Sequence, residues 1–251
     1  YFEVPEEPKD ILNEWGLPEN LRGNVVLNDD RQDVLHTILE ENPSKNFVIF
    51  GDPGIGKTVL LFEAFDKFME KEPTGYLSND NFNDLIHQNL GLRMFYDDLP
   101  ENKKLLEAIE SSDVNGLIVS SRKVDWEDLP IKIREKFETL EISKFDNKQM
   151  YNVCKSMLTF SGVNFSEGAL KMLVEYADGS PIYVYSMIKE LKSKQITRLQ
   201  DEYIENNAQK GMHNYISSLL GRLLKEQGEY FPGGLHSLAC LIFLSRELNE
   251  R

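Results

Sequence analysis

The sequence predicts an α/β fold, in which a parallel sheet is flanked by helices, followed by an all-helical part. Between residues 24 and 143, short apolar runs alternate with segments whose apolar residues recur at helical spacing. This alternation is typical of crossover units, which place strands side by side in a parallel sheet and cover both of its faces. From Asp146 onward the sequence shows helical periodicity and gives no strand signal.

The composition is that of a globular protein with a sizeable core. The chain has 251 residues, of which 41% are hydrophobic and 28% are charged. The formal net charge of −14 disfavours a large DNA-binding surface, because phosphates repel an acidic chain. The best apolar run, Leu235–Leu244, is too short to span a bilayer, and no signal peptide is visible. Because the chain begins at Tyr1 rather than Met, we expect a further segment before it.

The two cysteines predict a reducing compartment. Cys154 and Cys240 lie in apolar helical patterns, and two lone cysteines do not make a disulfide framework. We therefore expect buried, reduced thiols in a cytoplasmic protein.

The α/β part follows an extended arm, residues 1–23, which is rich in Pro, Glu and Asn. Asn28 or Asp29 is expected to cap a first helix that reaches about Glu41. The continuous apolar run in Asn46–Phe50 predicts a buried strand, and the amphipathic segment Thr58–Lys71 predicts a helix. The remaining predicted elements are strands at Gly75–Ser78, Leu92–Tyr96, Gly116–Ser120 and Thr139–Ile142, and helices at Phe82–Asn89 and Glu101–Glu110.

The second part is predicted to be helical and to consist of two segments, residues 144–200 and residues 201–251. Ser180-Pro181 marks a helix start, with a capping serine and a proline at the first helical position. The glycine-rich stretch Phe231–Gly234 breaks the pattern before a last helix. The predicted helices are Asn147–Phe160, Ser166–Asp178, Pro181–Lys192, a longer region from about Gln200 to Gln227, and Leu235–Leu248.

A glycine-rich loop links the first predicted strand to the next helix. Gly51-Asp52-Pro53-Gly54-Ile55-Gly56-Lys57-Thr58 fits the pattern G-x-x-x-x-G-K-[ST]. Glycines let the backbone N–H groups curl around a phosphate, and the following helix presents its positive end. Lys57 adds a positive charge for the outer phosphates, and the Thr58 hydroxyl is a magnesium ligand. The pattern predicts a P-loop nucleotide site for ATP or ADP with Mg²⁺; the alternative is a structural glycine turn.

Two acidic residues close the apolar strand Leu92–Tyr96. Parallel sheets deliver ligand-binding side chains at the carboxyl ends of their strands. Asp97 would hold the magnesium through water, and Asp98 would orient or deprotonate the attacking water. The alternative is two solvated carboxylates before Pro100, and competing acids lie upstream at Asp80 and Asp84.

Ser120-Ser121-Arg122 ends another buried strand. An arginine there can stabilise the charge on the γ-phosphate in the transition state, or can lie on a surface loop. Arg134 and Lys136 are further candidates, as finger-like residues for a neighbouring subunit or as a solvated helix face.

Four motifs in order resemble the STAND and archaeal ATPase branch of the AAA+ P-loop NTPases. They are Gly51–Thr58, Met94-Phe95-Tyr96-Asp97-Asp98, Leu117–Arg122, and Asp178-Gly179-Ser180-Pro181. This branch is related to NB-ARC switches and to origin-recognition initiators. The resemblance covers about residues 20–195. The first motif is specific for P-loop NTPases. The other three motifs support the resemblance through their order and spacing.

The resemblance implies a role for each matching residue. Arg122 looks like the first sensor, and Gly179-Ser180-Pro181 resembles the Gly-x-Pro motif of a helical lid, residues 144–200, whose proline lies against the nucleotide. Arg22–Val26 resembles the segment that packs on adenine. The implied cofactor-binding residues are Val25, Val26, Gly51, Asp52, Pro53, Gly54, Ile55, Gly56, Lys57, Thr58, Val59 and Pro181; the implied magnesium ligands are Thr58 and Asp97; the implied catalytic residues are Lys57, Asp98 and Arg122.

The sequence departs from ring-forming initiators and clamp loaders in two places. It lacks a sensor arginine at the Gly-x-Pro position, and their Ser-Arg-Phe finger motif reads Glu135-Lys136-Phe137. Both departures favour a switch over a ring-forming motor. In these families a winged-helix domain usually follows the lid, and Leu235–Arg251 would be its truncated start, within the segment 201–251.

Three hypotheses follow. The first is a slowly hydrolysing ATP-dependent molecular switch, with a protein partner or self-association and no membrane contact. The second is a DNA-associated initiator or loader, with DNA binding weak for this chain. The third, a P-loop kinase, is disfavoured by the helical tail after Pro181, which reads as a domain rather than as a lid over an acceptor site.

Overall fold

The computed structural model describes residues 27–42, 44–70, 74–76, 93–99, 103–111, 114–208 and 211. The chain divides into two compact units, Tyr1–Asn152 and Val153–Arg251. The predicted arm 1–23, Val25 and Val26, the helix at Phe82–Asn89, Cys240 and the last helix Leu235–Leu248 lie outside the described residues.

The first unit alternates strands and helices, as predicted. Its strands are β1 (Phe47–Gly51), β2 (Thr74–Tyr76), β3 (Arg93–Tyr96), β4 (Leu117–Arg122) and β5 (Glu138–Glu141). Its helices are α1 (Asp29–Glu40), α2 (Lys57–Met69), α3 (Lys103–Ser111), α4 (Lys123–Glu127) and α5 (Ile131–Arg134), and α6 (Asn147–Phe160) begins in it. Asn28 is the N-cap of α1, and its side chain accepts from the Arg31 N–H.

The five strands form one parallel sheet in the order β2-β3-β4-β1-β5. In this order β4 lies between β1 and β3, so Phe47 of β1 pairs with Ile118 of β4, and Met94 of β3 pairs with Leu117. The carboxyl ends of β1, β3 and β4 therefore meet at one edge of the sheet. The parallel α/β sheet predicted from the sequence is confirmed.

Alternate strand residues point to two separate cores, one on each face of the sheet. On one face Phe47, Ile49 and Phe95 pack against α1 and α2. On the other face Val48 and Val119 pack with residues of α3, α4 and α5. Helices cover both faces of the sheet, which explains why the central strands β1 and β4 begin with continuous apolar runs.

Asn46 ties three strands together at the opposite, amino-terminal edge. This buried side chain donates to the carbonyls of Val114 at 2.7 Å and Lys136 at 3.1 Å, and it accepts from the Leu117 N–H at 2.9 Å. It precedes β1, while its partners lie at or before the starts of β4 and β5. One amide therefore satisfies backbone groups that the sheet ladder leaves open.

The second unit is mainly helical. Besides most of α6, it contains β6 (Asn164–Phe165), α7 (Glu167–Ala177), α8 (Pro181–Ser193), β7 (Arg198–Leu199) and α9 (Asp201–Asn207). Its buried side chains include Leu170, Leu173, Tyr183, Met187 and Leu191. Cys154 is buried and free, and burial raises the pKa of its thiol to about 12.

The structure corrects four expectations. The sequence shows no strand after Asp146, but β6 and β7 pair in parallel, since two-residue strands carry no readable periodicity. The helical region expected from about Gln200 to Gln227 is interrupted, because α9 ends at Asn207 and Ala208 is extended; most of the rest of this region lies outside the described residues. Helices α4 and α5 were not predicted as elements. Ser180 occupies the N-cap position of α8, but its side chain makes no capping bond.

Among the described residues, none of the helices is both long and apolar enough to cross a membrane.

Candidate nucleotide-binding site

The loop between β1 and α2 has the backbone form that its glycines permit. Gly54 has φ 76° and Gly56 has φ 100°, a left-handed region that favours glycine. At Gly51 a Cβ would lie 2.5 Å from the Ile142 carbonyl oxygen and 2.6 Å from the Ile55 Cδ1, so only glycine fits. The loop therefore turns tightly and delivers the N-terminus of α2 to the carboxyl edge of the sheet.

Lys57 is the first residue of α2 and is half-buried. Its Nζ donates to the carbonyl of Gly51 at 3.0 Å and to the carbonyl of Asp52 at 2.9 Å. Burial lowers the pKa of its ammonium group, and the nearby carboxylates of Asp98 and Asp97 oppose that shift. The lysine is thus held across its own loop, beside two acids.

Asp97 directly follows β3 and contacts two hydroxyl groups. The Ser120 Oγ of the neighbouring strand β4 donates to the Asp97 Oδ1, and the Thr58 side chain also hydrogen-bonds this carboxylate. Burial raises the pKa of Asp97, and the bonds from Ser120 and Thr58 oppose the shift. The structure therefore brings together the two residues predicted to hold magnesium.

Asp98 has different surroundings, although it is the next residue. Its backbone N–H donates to the Ser120 Oγ at 3.0 Å, and its φ of 59° is in the left-handed region, which is uncommon for a non-glycine residue. An Arg122 Nη2 lies 3.7 Å from its Oδ2, and the Arg122 Nε lies 3.4 Å from Asp125. Asp98 thus faces an arginine rather than the hydroxyl pair.

These groups fit a triphosphate with magnesium. Mg²⁺ prefers oxygen ligands and usually takes only one or two from protein, the rest coming from water and phosphate. Thr58 and Asp97 offer this small set, and in the part of the chain that the structure describes no group of three or more His, Cys, Asp or Glu could hold a metal alone. Lys57 and the helix N-terminus supply the positive charge that phosphates need.

The two candidate finger residues make contacts within the chain. The Lys136 Nζ donates to the carbonyls of Ile109 at 2.5 Å and Glu110 at 3.4 Å, at the C-terminal end of α3, where a positive charge is stabilising. The Arg134 Nε donates to the Leu129 carbonyl at 3.1 Å.

The remaining predicted residues are placed as follows. Asp52 and Pro53 are exposed on the loop, Ile55 is buried beneath it, and Val59 is half-buried in α2. Pro181 opens α8 in the second unit, after Asp178 and Gly179, both in the left-handed region. Val25, Val26 and the competing acids Asp80 and Asp84 lie outside the described residues.

Two residues of the site have roles that the sequence did not reveal. The Ser120 Oγ hydrogen-bonds both the Asp97 carboxylate and the Asp98 backbone N–H. The only hint of this in the sequence is a polar residue at the end of a buried apolar strand. Arg31 donates to the loop carbonyl of Ile55 from α1, and a lone arginine in a helical pattern gives no such signal.

Solved structures share this fold. RuvB of Thermotoga maritima, a Holliday junction branch migration motor, is similar with a TM-score of 0.60 and 17% identity, covering 88% of this chain and 85% of that chain. Domain III of the replication initiation protein DnaA from the same organism has a TM-score of 0.54 and 17% identity, covering 69% and 88%. AMPPCP-bound DnaA from Aquifex aeolicus has a TM-score of 0.52 and 17% identity, covering 85% and 74%.

No family model matches the sequence, and no curated protein matches it. The structural likeness shows that the chain has the parallel α/β fold that RuvB and DnaA share. At this level of identity it shows the fold alone.

Proposed function

We propose that this chain is an ATP-binding, slowly hydrolysing molecular switch of the STAND type. The observation that carries the proposal is the contact between Thr58 and Asp97 beside Lys57, because it joins a phosphate-binding loop to an acid at the carboxyl edge of the sheet. The loop and Lys57 would hold the phosphates, with Gly51–Val59 lining them. Thr58 and Asp97 would hold Mg²⁺, which would neutralise charge on the phosphates.

The surroundings of Asp98 support slow turnover. This acid is assigned to position the attacking water, yet it faces the Arg122 guanidinium at 3.7 Å. Arg122 is also the residue proposed to sense the γ-phosphate, so it would have to change partners during each cycle. A step of this kind makes hydrolysis depend on a local rearrangement.

The output of the switch would lie in the second unit. Asp178 and Gly179 form a left-handed turn, and Pro181 begins α8 immediately after it. We propose that Pro181 contacts the nucleotide and that ATP favours a docked lid, which hydrolysis releases. The released surface would bind a protein partner or a second copy of the chain, in the cytoplasm.

Calorimetric titration with ATP and Mg²⁺ tests the site. Lys57→Ala should weaken binding by about a hundredfold, because charge-assisted contacts to phosphate are strong and each factor of ten corresponds to about 1.4 kcal/mol. Lys67→Ala, at the other end of α2, is the matched control and should bind like wild type. Unchanged affinity in a folded Lys57→Ala protein would refute the site.

Mass spectrometry of nucleotide released from the purified protein tests the switch. A switch that holds its product should carry ADP through purification, whereas a continuously cycling motor should not. Protein free of nucleotide, together with rapid turnover, would argue against the switch.

A DNA-associated ATPase is the second candidate, and the similarity to RuvB and DnaA favours it. A ring motor supplies a basic residue to its neighbour's site, but Arg134 and Lys136 both donate within the chain. This observation supports the switch. Stimulation of ATP turnover by DNA would favour the second candidate instead.

A further inference from the structure

Arg31 is a buried arginine that contacts the phosphate-binding loop from outside the motif. It is the third residue of α1, and its side chain is 2% exposed. Its Nη2 donates to the carbonyl of Ile55 at 2.8 Å and to the carbonyl of Ser143 at 3.0 Å. Its Nη1 donates to the Asn28 Oδ1 at 2.9 Å, and the guanidinium lies 3.6 Å from the Phe145 ring centroid.

The bond to Ile55 fixes the orientation of one peptide group in the loop. In a trans peptide the carbonyl of one residue and the N–H of the next point in opposite directions. Holding the Ile55 carbonyl towards Arg31 therefore turns the Gly56 N–H to the other side of the loop. Gly56 has φ 100°, and glycine can adopt many other backbone conformations at little cost. The bond from Arg31 therefore restricts a peptide group that would otherwise rotate freely.

The charge of Arg31 is not neutralised by an ion pair. Its three oxygen acceptors are two carbonyls and an amide, and no described carboxylate forms an ion pair with it. Burial lowers the pKa of Arg31 to about 10, although the nearby Asp30 carboxylate opposes that shift, so the guanidinium is still charged at neutral pH. A buried charge that lacks a direct ion pair is expensive, and an apolar side chain of similar size would often be more stabilising. Its position against a loop that is proposed to bind phosphate gives the charge a function.

We infer that Arg31 is a positioning residue for phosphate binding: its guanidinium holds the Ile55–Gly56 peptide in the anion-binding form and adds positive charge behind the loop. The inference rests on the proposed function and names a residue outside the loop motif. It also links the loop to Ser143 and Phe145, which follow β5.

Arg93 provides a matched control. It is also 2% exposed, and it donates to the backbone carbonyls of Lys45, Glu41 and Asn42 at 3.0–3.1 Å. Its guanidinium lies 5.2 Å from the Phe68 ring centroid. Because Arg93 is at the start of β3, a substitution there removes a similar set of contacts at the opposite edge of the sheet.

The experiment measures the affinity of the full chain for ATP and for inorganic tripolyphosphate, each with Mg²⁺, by calorimetry. Tripolyphosphate has no nucleobase, so its affinity reports on the phosphate-binding loop alone. Arg31→Met should weaken the binding of both ligands by the same factor, about tenfold or more, where a factor of ten corresponds to about 1.4 kcal/mol. Arg31→Lys keeps the charge but loses the planar fork, so it should fall between wild type and Arg31→Met. Arg93→Met should lose thermal stability and keep both affinities.

Each outcome decides the matter. Equal affinities in wild type and a folded Arg31→Met would overturn the inference while leaving the proposed function intact. If Arg31→Met does not fold, Arg31→Lys is compared with Arg93→Lys, and wild-type affinity in both would overturn the inference. Equal losses in the Arg31 and Arg93 variants would show a structural role only. A wild-type protein that binds neither ligand would overturn the proposed function, and the inference with it.

Discussion

Asp97 and Asp98 are neighbours in sequence, but their carboxylates contact different groups. Hydroxyl groups of Ser120 and Thr58 bind the carboxylate of Asp97, whereas Asp98 adopts a left-handed backbone and faces Arg122. A carboxylate surrounded by hydroxyl groups beside the loop suits a metal. A carboxylate paired loosely with an arginine, at 3.7 Å, would suit the proposed role of Asp98, in which it changes partners during hydrolysis.

Asp98→Asn should bind ATP as wild type does and should hydrolyse it more slowly. An amide cannot take the proton of the attacking water, and positioned acid–base groups contribute about a hundred- to ten-thousandfold in rate. Phosphate release under saturating ATP measures the effect, and Asp125→Asn, the other acid near Arg122, is the matched control.

Asp97→Asn should instead weaken the dependence of ATP binding on Mg²⁺, because an amide is a poorer magnesium ligand than a carboxylate. Titrating Mg²⁺ at fixed ATP separates this effect from a change in rate. If the two asparagine variants behave alike in both assays, the assigned roles are wrong.

Asp97→Asn should also stabilise the protein without nucleotide at neutral pH. Burial raises the folded-state pKa of Asp97 above its unfolded value, so stability is lost as the pH rises from the ordinary carboxyl pKa to the raised folded-state pKa. The variant avoids this cost. Its gain in Tm over wild type should be largest above the raised folded-state pKa and should shrink as the pH falls towards the ordinary carboxyl range, about pH 4. A gain that grows on acidification would contradict the assigned direction.

At the residue scale, the motif letters predict the loop but not the contacts around it. The loop pattern predicts phosphate and magnesium contacts for Lys57 and Thr58. The position of Asp97 after an apolar strand predicts a magnesium ligand. The bridge from Ser120 to both acids depends on β4 lying beside β3, and strand order is not contained in hydrophobic periodicity. Arg31 reaches Ile55 across 24 positions of sequence, which no local pattern reports.

At the scale of elements, the start of the sheet depends on one amide. Asn46→Ala should destabilise the protein by about 2 kcal/mol or more, because it removes hydrogen bonds to the buried backbone groups of Val114 and Leu117 and a third bond to the Lys136 carbonyl. Urea denaturation measures the loss, and Asn115→Ala, an exposed asparagine nearby, should change little. Affinity for ATP should be unaffected in folded protein, since Asn46 lies at the edge of the sheet opposite the loop. A loss below the error of the measurement would show that water replaces the amide.

The elements that the sequence predicted well are those long enough to show a period. Helix α6 occupies Asn147–Phe160 as predicted, and α7 lies one residue inside each predicted end. Helices α4 and α5 have five and four residues, and β6 and β7 have two each, so none completes enough turns or alternations to be recognised. Tertiary packing decides such short elements.

At the scale of the whole molecule, charge decides how the chain meets nucleic acid. The densest basic stretch, Lys189–Arg198, belongs to the second unit. Lys194 is paired with the buried Glu190 at 2.7 Å, and the Lys189 Nζ lies 4.6 Å from the Tyr185 ring centroid. The basic residues of this stretch are thus partly engaged within the fold rather than arranged as one stripe.

We therefore expect this 251-residue chain to bind duplex DNA weakly and without sequence preference, despite sharing its fold with RuvB and DnaA. At a net charge of −14 the protein is repelled at long range, and a stable complex would need several lysines or arginines on phosphates. Each such contact steepens the salt dependence of binding, with a slope of about −0.9 per phosphate. Fluorescence anisotropy across salt concentrations measures both affinity and slope, and Lys192→Glu in the basic stretch should leave them unchanged. Submicromolar binding at physiological salt with a steep slope, lost in that variant, would contradict this expectation and favour a DNA-associated ATPase over a switch.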